Sequence, residues 1–272
     1  MHPSISTGER YHEWLVPHLR AWARHDIHFG VSCTQHRLHR YTTVLRTACV
    51  DGIPAGATDL SEESDLVVAA SCDMMWYRYP HRHHDAAKRG ERNPEFLQAA
   101  ALHDQVLPMI RTTRPDVRMI VLPVAPIYAT EHVSGAAFLT LLDRCLAELP
   151  TDYRYAVEIS NPQYLLPGYF DCLSRHHVTH VLHDCAPAAG LLEQIQLPRV
   201  LTTETVVVRT EATPEPETQL GIIETIRRCI DGKKTLYLYL HDSGDVLASL
   251  AGLMDLLDPD LAKLSPLRSK AA

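Results

Sequence analysis

From residue 117 onward, short apolar runs alternate with amphipathic stretches, and this rhythm limits the available folds more than any other feature. The runs at 117–124, 153–160, 178–184, 205–210 and 235–240 read as strands. The stretches at 134–149, 169–176, 191–196, 217–230 and 245–257 carry apolar residues at helical spacing. Strands separated by helices of this length pair in parallel through right-handed crossovers. Upstream the rhythm is looser. A helix is expected at 11–24, strands at 27–33 and 66–71, and a helix at 41–50. Residues 79–93 are charged and rich in histidine, and read as a mobile excursion. A helix at 94–113 would carry Pro94 in its first turn and a kink at Pro108. That makes seven strands, one short of closure. The expected fold is α/β, a TIM-type (β/α) barrel with an irregular or incomplete N-terminal quarter. We expect one domain over 1–272, with 52–93 divergent or inserted and a tail at 258–272.

The length of 272 residues suits such a barrel, which needs about 250. No apolar run approaches the roughly 18 residues of a membrane helix, and the polar start with Glu9 and Arg10 does not read as a secretory signal. A cytoplasmic protein with no membrane partner is the expectation. The net charge of −7 disfavours nucleic acid, which calls for a basic face. Seven cysteines without CxxC spacing fit reduced thiols and exclude a zinc ribbon.

Three strands end in acid or imidazole: Glu158, then His183 with Asp184, then His241 with Asp242. In a TIM-type barrel such ends converge on the active-site mouth. Strand alternation puts Ala156, Glu158 and Ser160 on one face, Val207, Arg209 and Glu211 on one, and Tyr237, Tyr239 and His241 on one. Asp184 shares its face with His180 and Leu182. Glu158, Asp184, Arg209 and His241 are therefore the candidate catalytic residues. Glu158, Asp184, His241 and Asp242 would suit a divalent Mn²⁺, Zn²⁺ or Mg²⁺ ion, and Arg209 would hold an anionic group. A buried Glu158–Arg209 ion pair with a purely structural role explains the same two residues equally well. Asp184 as a helix cap and Asp242 or Ser243 as an N-cap are the plainer readings of those positions. His39 and Asn161, on the loops leaving strands 27–33 and 153–160, join Arg209 as candidate substrate contacts. His176 and His177 close a helix, where imidazole favours the dipole. The run His81-Arg82-His83-His84-Asp85 lacks the last histidine of a binuclear-metal motif and reads as a solvated loop over the mouth. No nucleotide-cofactor motif is present.

The second half resembles the YecE-like family, the domain of unknown function 72. The resemblance rests on Val157-Glu158-Ile159-Ser160-Asn161-Pro162, on His177 to Asp184, and on Val207-Val208-Arg209. Leu236 to Asp242 and Met119-Ile120-Val121-Leu122-Pro123 complete it, with a looser echo from Phe29 to His39. The resemblance implies a TIM-type barrel and carries over Glu158, Asp184 and Arg209, with His39 where the family pattern has histidine. The chain departs from the pattern at Ser160, Val121, Glu211-Ala212 and His241-Asp242. The expected function is an enzyme acting at the C-terminal mouth on a small polar or anionic substrate, by metal-assisted hydrolysis or isomerisation. The alternative is a non-catalytic barrel that binds a protein or ligand partner, or a second copy of itself.

Overall fold

The computed structural model describes residues 26–32, 43–48, 65–70, 73–83, 85–113, 117–184, 188–211 and 214–241. Eight parallel strands close into a barrel in sequence order. They are β1 (Ile27–Ser32), β2 (Thr43–Ala48), β3 (Asp65–Ala70), β4 (Val117–Val124), β5 (Tyr155–Ile159), β6 (Thr179–His183), β7 (Thr205–Glu211) and β8 (Thr235–His241). β1 seals the cylinder against β8, from Ile27 opposite Leu236 to Ser32 opposite His241. The strand missing from the sequence reading is β2. Its six residues were expected within a helix, but they bond to β1 on one side and to β3 on the other. Two sheet edges at 27–32 and 65–70 would otherwise expose unpaired backbone, so pairing outweighs the weak local preference of Thr-Val-Leu-Arg-Thr-Ala.

The helices are α1 (Ala99–Ala101), α2 (Leu107–Thr113), α3 (Gly135–Ala147), α4 (Pro167–Arg175), α5 (Leu191–Gln196) and α6 (Pro216–Gly232). A π turn at Leu102–Val106 joins α1 to α2 immediately before Pro108. A proline ring clashes with the carbonyl four residues back, and the wider turn accommodates it. Ser134 caps α3 by accepting from the Ala137 amide at 3.2 Å. Gly221 of α6 meets the backbone of α5, where a Cβ would lie 2.7 Å from the Leu192 nitrogen. The expected helices at 11–24 and 245–257 lie outside the described residues, as does the tail.

Residues 73–83 and 85–98 are knit together, which corrects the expectation of a mobile excursion. Arg78 and Arg92 form an antiparallel bridge. The buried Asn93 donates to the Asp73 and Trp76 carbonyls at 2.7 and 2.9 Å, and accepts from the Tyr79 hydroxyl at 2.8 Å. Polar residues here satisfy one another rather than solvent, which composition alone does not reveal.

Two apolar layers follow from the strand alternation. The outer one packs strands against helices, and includes Leu122, Val157, Leu182, Val208 and Leu238. The inner one fills the lumen with Val67, Ala69, Met119, Val121, Ala156, Val181, Val207, Tyr237 and Tyr239. Tyr237 and Tyr239 stack at 6.5 Å, and His28 lies on Tyr237 at 5.1 Å. Among the described residues the lower lumen is mainly apolar, and Glu158, His183 and Arg209 stand at the strand ends above it.

Candidate active site

At the C-terminal end of the inner face, Glu158 of β5 meets Arg209 of β7. Arg209 Nη1 donates to both carboxylate oxygens, at 2.8 and 2.9 Å. The side chains are 10% and 22% exposed. Desolvating two such groups costs several kcal/mol, which the short charge-assisted contacts offset. Arg209 stands level with Tyr239 on one side and His183 on the other.

His183 is the residue the sequence reading passed over. Val181 belongs to the lumen cluster, so His183, two positions on, also points inward. It is fully buried. Its Nε2 lies 3.0 Å from the Ile159 carbonyl. A carbonyl only accepts, so Nε2 carries the hydrogen. Nδ1 is buried and makes no hydrogen bond. The registered pairing of β5 with β6 runs only from Ala156 to Val157, and the imidazole occupies the gap where it stops. On the other side of the sheet the buried Gln194 of α5 grips the His183 backbone, accepting from its amide at 3.4 Å and donating to its carbonyl. The ring is thus held by the Ile159 carbonyl and its backbone by Gln194. The signal that could have found it was parity: in Thr179-His180-Val181-Leu182-His183, alternate residues face the lumen.

Asp184 is not in the mouth. Its Oδ2 accepts from the Thr210 hydroxyl at 2.6 Å. Thr210 alternates with Val206 and Val208, and Asp184 with Leu182, all outer-layer residues. Glu158 and Asp184 thus lie on opposite sides of the barrel wall, and the expected four-residue metal set is split. His180 shares the outer face with Asp184. It packs edge-on against Tyr169 and Phe170 of α4, and Nδ1 lies 3.1 Å from the Tyr169 hydroxyl. Burial pushes its pKa down from 6.5 to about 3, helped by the charge His183 would carry.

The Asn161 side chain is engaged with the backbone. Its amide clasps Ile127, accepting from the backbone nitrogen and donating to the carbonyl, both at 2.8 Å. That ties the loop after β4 to the end of β5. The backbone of His241 ends β8 opposite Glu211 and Ser32. Its side chain lies outside the described residues, as do His39 and Asp242. In the 81–85 run, His83 is buried, with Nε2 3.3 Å from Asp73 Oδ1.

Among the described residues, one group could hold a metal ion: Asp143, Cys172 and His176. It lies in the helical layer, away from the lumen. A cavity of about 410 Å³ opens at the opposite end of the barrel, where Val117, Met119, Arg154 and Tyr237 line it. Barrels of this kind work at the other face, so this cavity does not mark the mouth.

Among the described residues, fold and site define an eight-stranded parallel α/β barrel with a buried ion pair and a hydrogen-bonded imidazole at its C-terminal mouth. The family described as "Protein of unknown function DUF72" matches residues 67–271, and the chain belongs to it. Two solved structures share the fold. A DUF72 family protein from Thermotoga maritima matches with a TM-score of 0.57 at 11% identity, covering 87% of this chain and 99% of that one. Another from Enterococcus faecalis matches with a TM-score of 0.53, also at 11% identity, covering 87% and 97%. No curated protein matches the chain. No helix among the described residues is long and apolar enough to cross a membrane.

Proposed function

We propose that the chain is an enzyme that moves a proton on a small polar or anionic substrate at the C-terminal mouth of the barrel, in a hydrolysis or isomerisation. One observation carries the reading. His183 is locked through Nε2 and presents a buried, unbonded Nδ1 beside the Glu158–Arg209 pair. An unsatisfied buried ring nitrogen costs stability unless something else uses it, and of the two on β6 His180 Nε2 lies in the helical layer while His183 belongs to the lumen face. In this reading Nδ1 accepts the substrate proton, Glu158 and Arg209 hold each other in place, and the guanidinium orients an anionic group. The reading needs no ion shared by Glu158 and Asp184, which the barrel wall separates.

Isothermal titration with inorganic phosphate and with acetate, the smallest anionic fragments, tests it. Saturable binding to the wild type that is lost in Arg209→Met and weakened in His183→Asn supports the proposal. Absence of binding, or equal binding by all three proteins, contradicts it. A second reading has its own observation: Trp76, Tyr128 and Leu166 are exposed on the connections after β3, β4 and β5, at the mouth end of the barrel. A partner-binding barrel would use that rim. It predicts that Tyr128→Ser weakens self-association in sedimentation while the three mouth residues bind no anion.

A further inference from the structure

We propose that Asp143, Cys172 and His176 form a zinc site between α3 and α4, separate from the barrel mouth. Cys172 of α4 and His176, which caps the helix four residues later, both reach Asp143 of α3. Asp143 of α3 receives them. Its Oδ1 lies 3.6 Å from Cys172 Sγ and 2.7 Å from His176 Nε2. All three donor atoms fall within 4.8 Å of one another. Tetrahedral zinc holds its donors roughly 3.3–3.7 Å apart. The sulfur–oxygen spacing already fits, and the nitrogen–oxygen spacing has to open by roughly 0.7 Å once the ion replaces the shared hydrogen.

The donor types select the metal. Thiolate with imidazole and one carboxylate suits zinc, whereas magnesium, calcium and manganese prefer oxygen ligands. Cys172 is nearly fully buried, His176 is partly covered and Asp143 is 44% exposed. Sulfur would therefore form the inner wall of the site, and the open side would take water as fourth ligand. One cation opposes this arrangement: Arg175 Nη1 lies 2.6 Å from the same Asp143 oxygen. Its side chain is 59% exposed and can shift to Oδ2. Bound zinc would pin two neighbouring helices of the outer layer.

The test uses the full chain, freed of metal and titrated with Co²⁺ as a spectroscopic stand-in for zinc. A thiolate-to-cobalt charge-transfer absorption in the near ultraviolet, displaced by zinc, is the expected result. It should vanish in Cys172→Ser. In His176→Gln, zinc should bind at least about tenfold more weakly, and in Arg175→Ala about tenfold more tightly. Should Cys172→Ser fail to fold, the His176→Gln and Arg175→Ala pair decides. No absorption in the wild type, an absorption that survives Cys172→Ser, or equal zinc affinity in the two other variants would overturn the site. The three residues would then be only a hydrogen-bonded tie between helices.

Discussion

Two imidazoles three residues apart on β6, both buried, face opposite sides of the barrel wall. His180 faces outward between Tyr169 and Phe170 of α4, its Nδ1 on a tyrosine hydroxyl and its pKa pushed down to about 3. His183 faces inward beside Arg209, fixed by the Ile159 carbonyl and by Gln194 behind it. The strongly shifted group is the one packed among rings, and the candidate functional group is the one at the strand end. Burial and a displaced pKa therefore do not single out the proposed site; strand parity and height along the barrel are what support it. The same division separates Glu158, inside, from Asp184, outside.

The largest effect should come from breaking the inner pair. Arg209→Met leaves Glu158 buried and unpaired, and should cost about 3–5 kcal/mol in urea unfolding. Adding Glu158→Gln should recover a large part of that stability without recovering anion binding. Recovery of both would make the pair purely structural.

Next comes the acid response of the outer histidine. The unfolded chain protonates His180 near pH 6.5, while the folded protein resists until about pH 3. The unfolded state then binds the extra proton, so stability falls as pH drops through that window. The slope attributable to His180 should approach about 1.4 kcal/mol per pH unit, or about 2 kcal/mol between pH 6.5 and 5. The double variant Tyr169→Phe/His180→Leu should flatten this slope and leave anion binding unchanged. Changed binding would erase the contrast between the two faces.

Gln194→Ala removes the grip on the His183 backbone, and should cost about 1–3 kcal/mol and weaken anion binding through loss of position. Thr210→Val deprives Asp184 of its partner on the outer face. It should cost about 1 kcal/mol and leave the mouth untouched.

From residue 117 the barrel was legible because each parallel strand, covered on both faces, reads as a short apolar run between amphipathic helices. β2 was not legible. Thr43–Ala48 has no clean period, and its partners lie in β1 and β3 rather than in its own sequence. The segment around Asn93 was read as solvated because its order comes from long-range polar contacts, not from apolar spacing. Parity was enough to place Glu158 and Arg209 inside the barrel. The same alternation puts Asp184 with His180 and Leu182 on the outer face, which outweighs its place at a strand end. His183 was passed over in favour of the carboxylate beside it, although it stands level with Arg209 in the lumen.

The most direct test of the inward site is the imidazole ¹⁵N spectrum of the histidine-labelled protein, with His180 and His183 assigned from His180→Leu and His183→Asn. We expect a hydrogen on Nε2 of His183, and a saturable shift of its Nδ1 signal on titration with phosphate or acetate while His180 stays silent. A silent His183, or a response carried by His180, would contradict it.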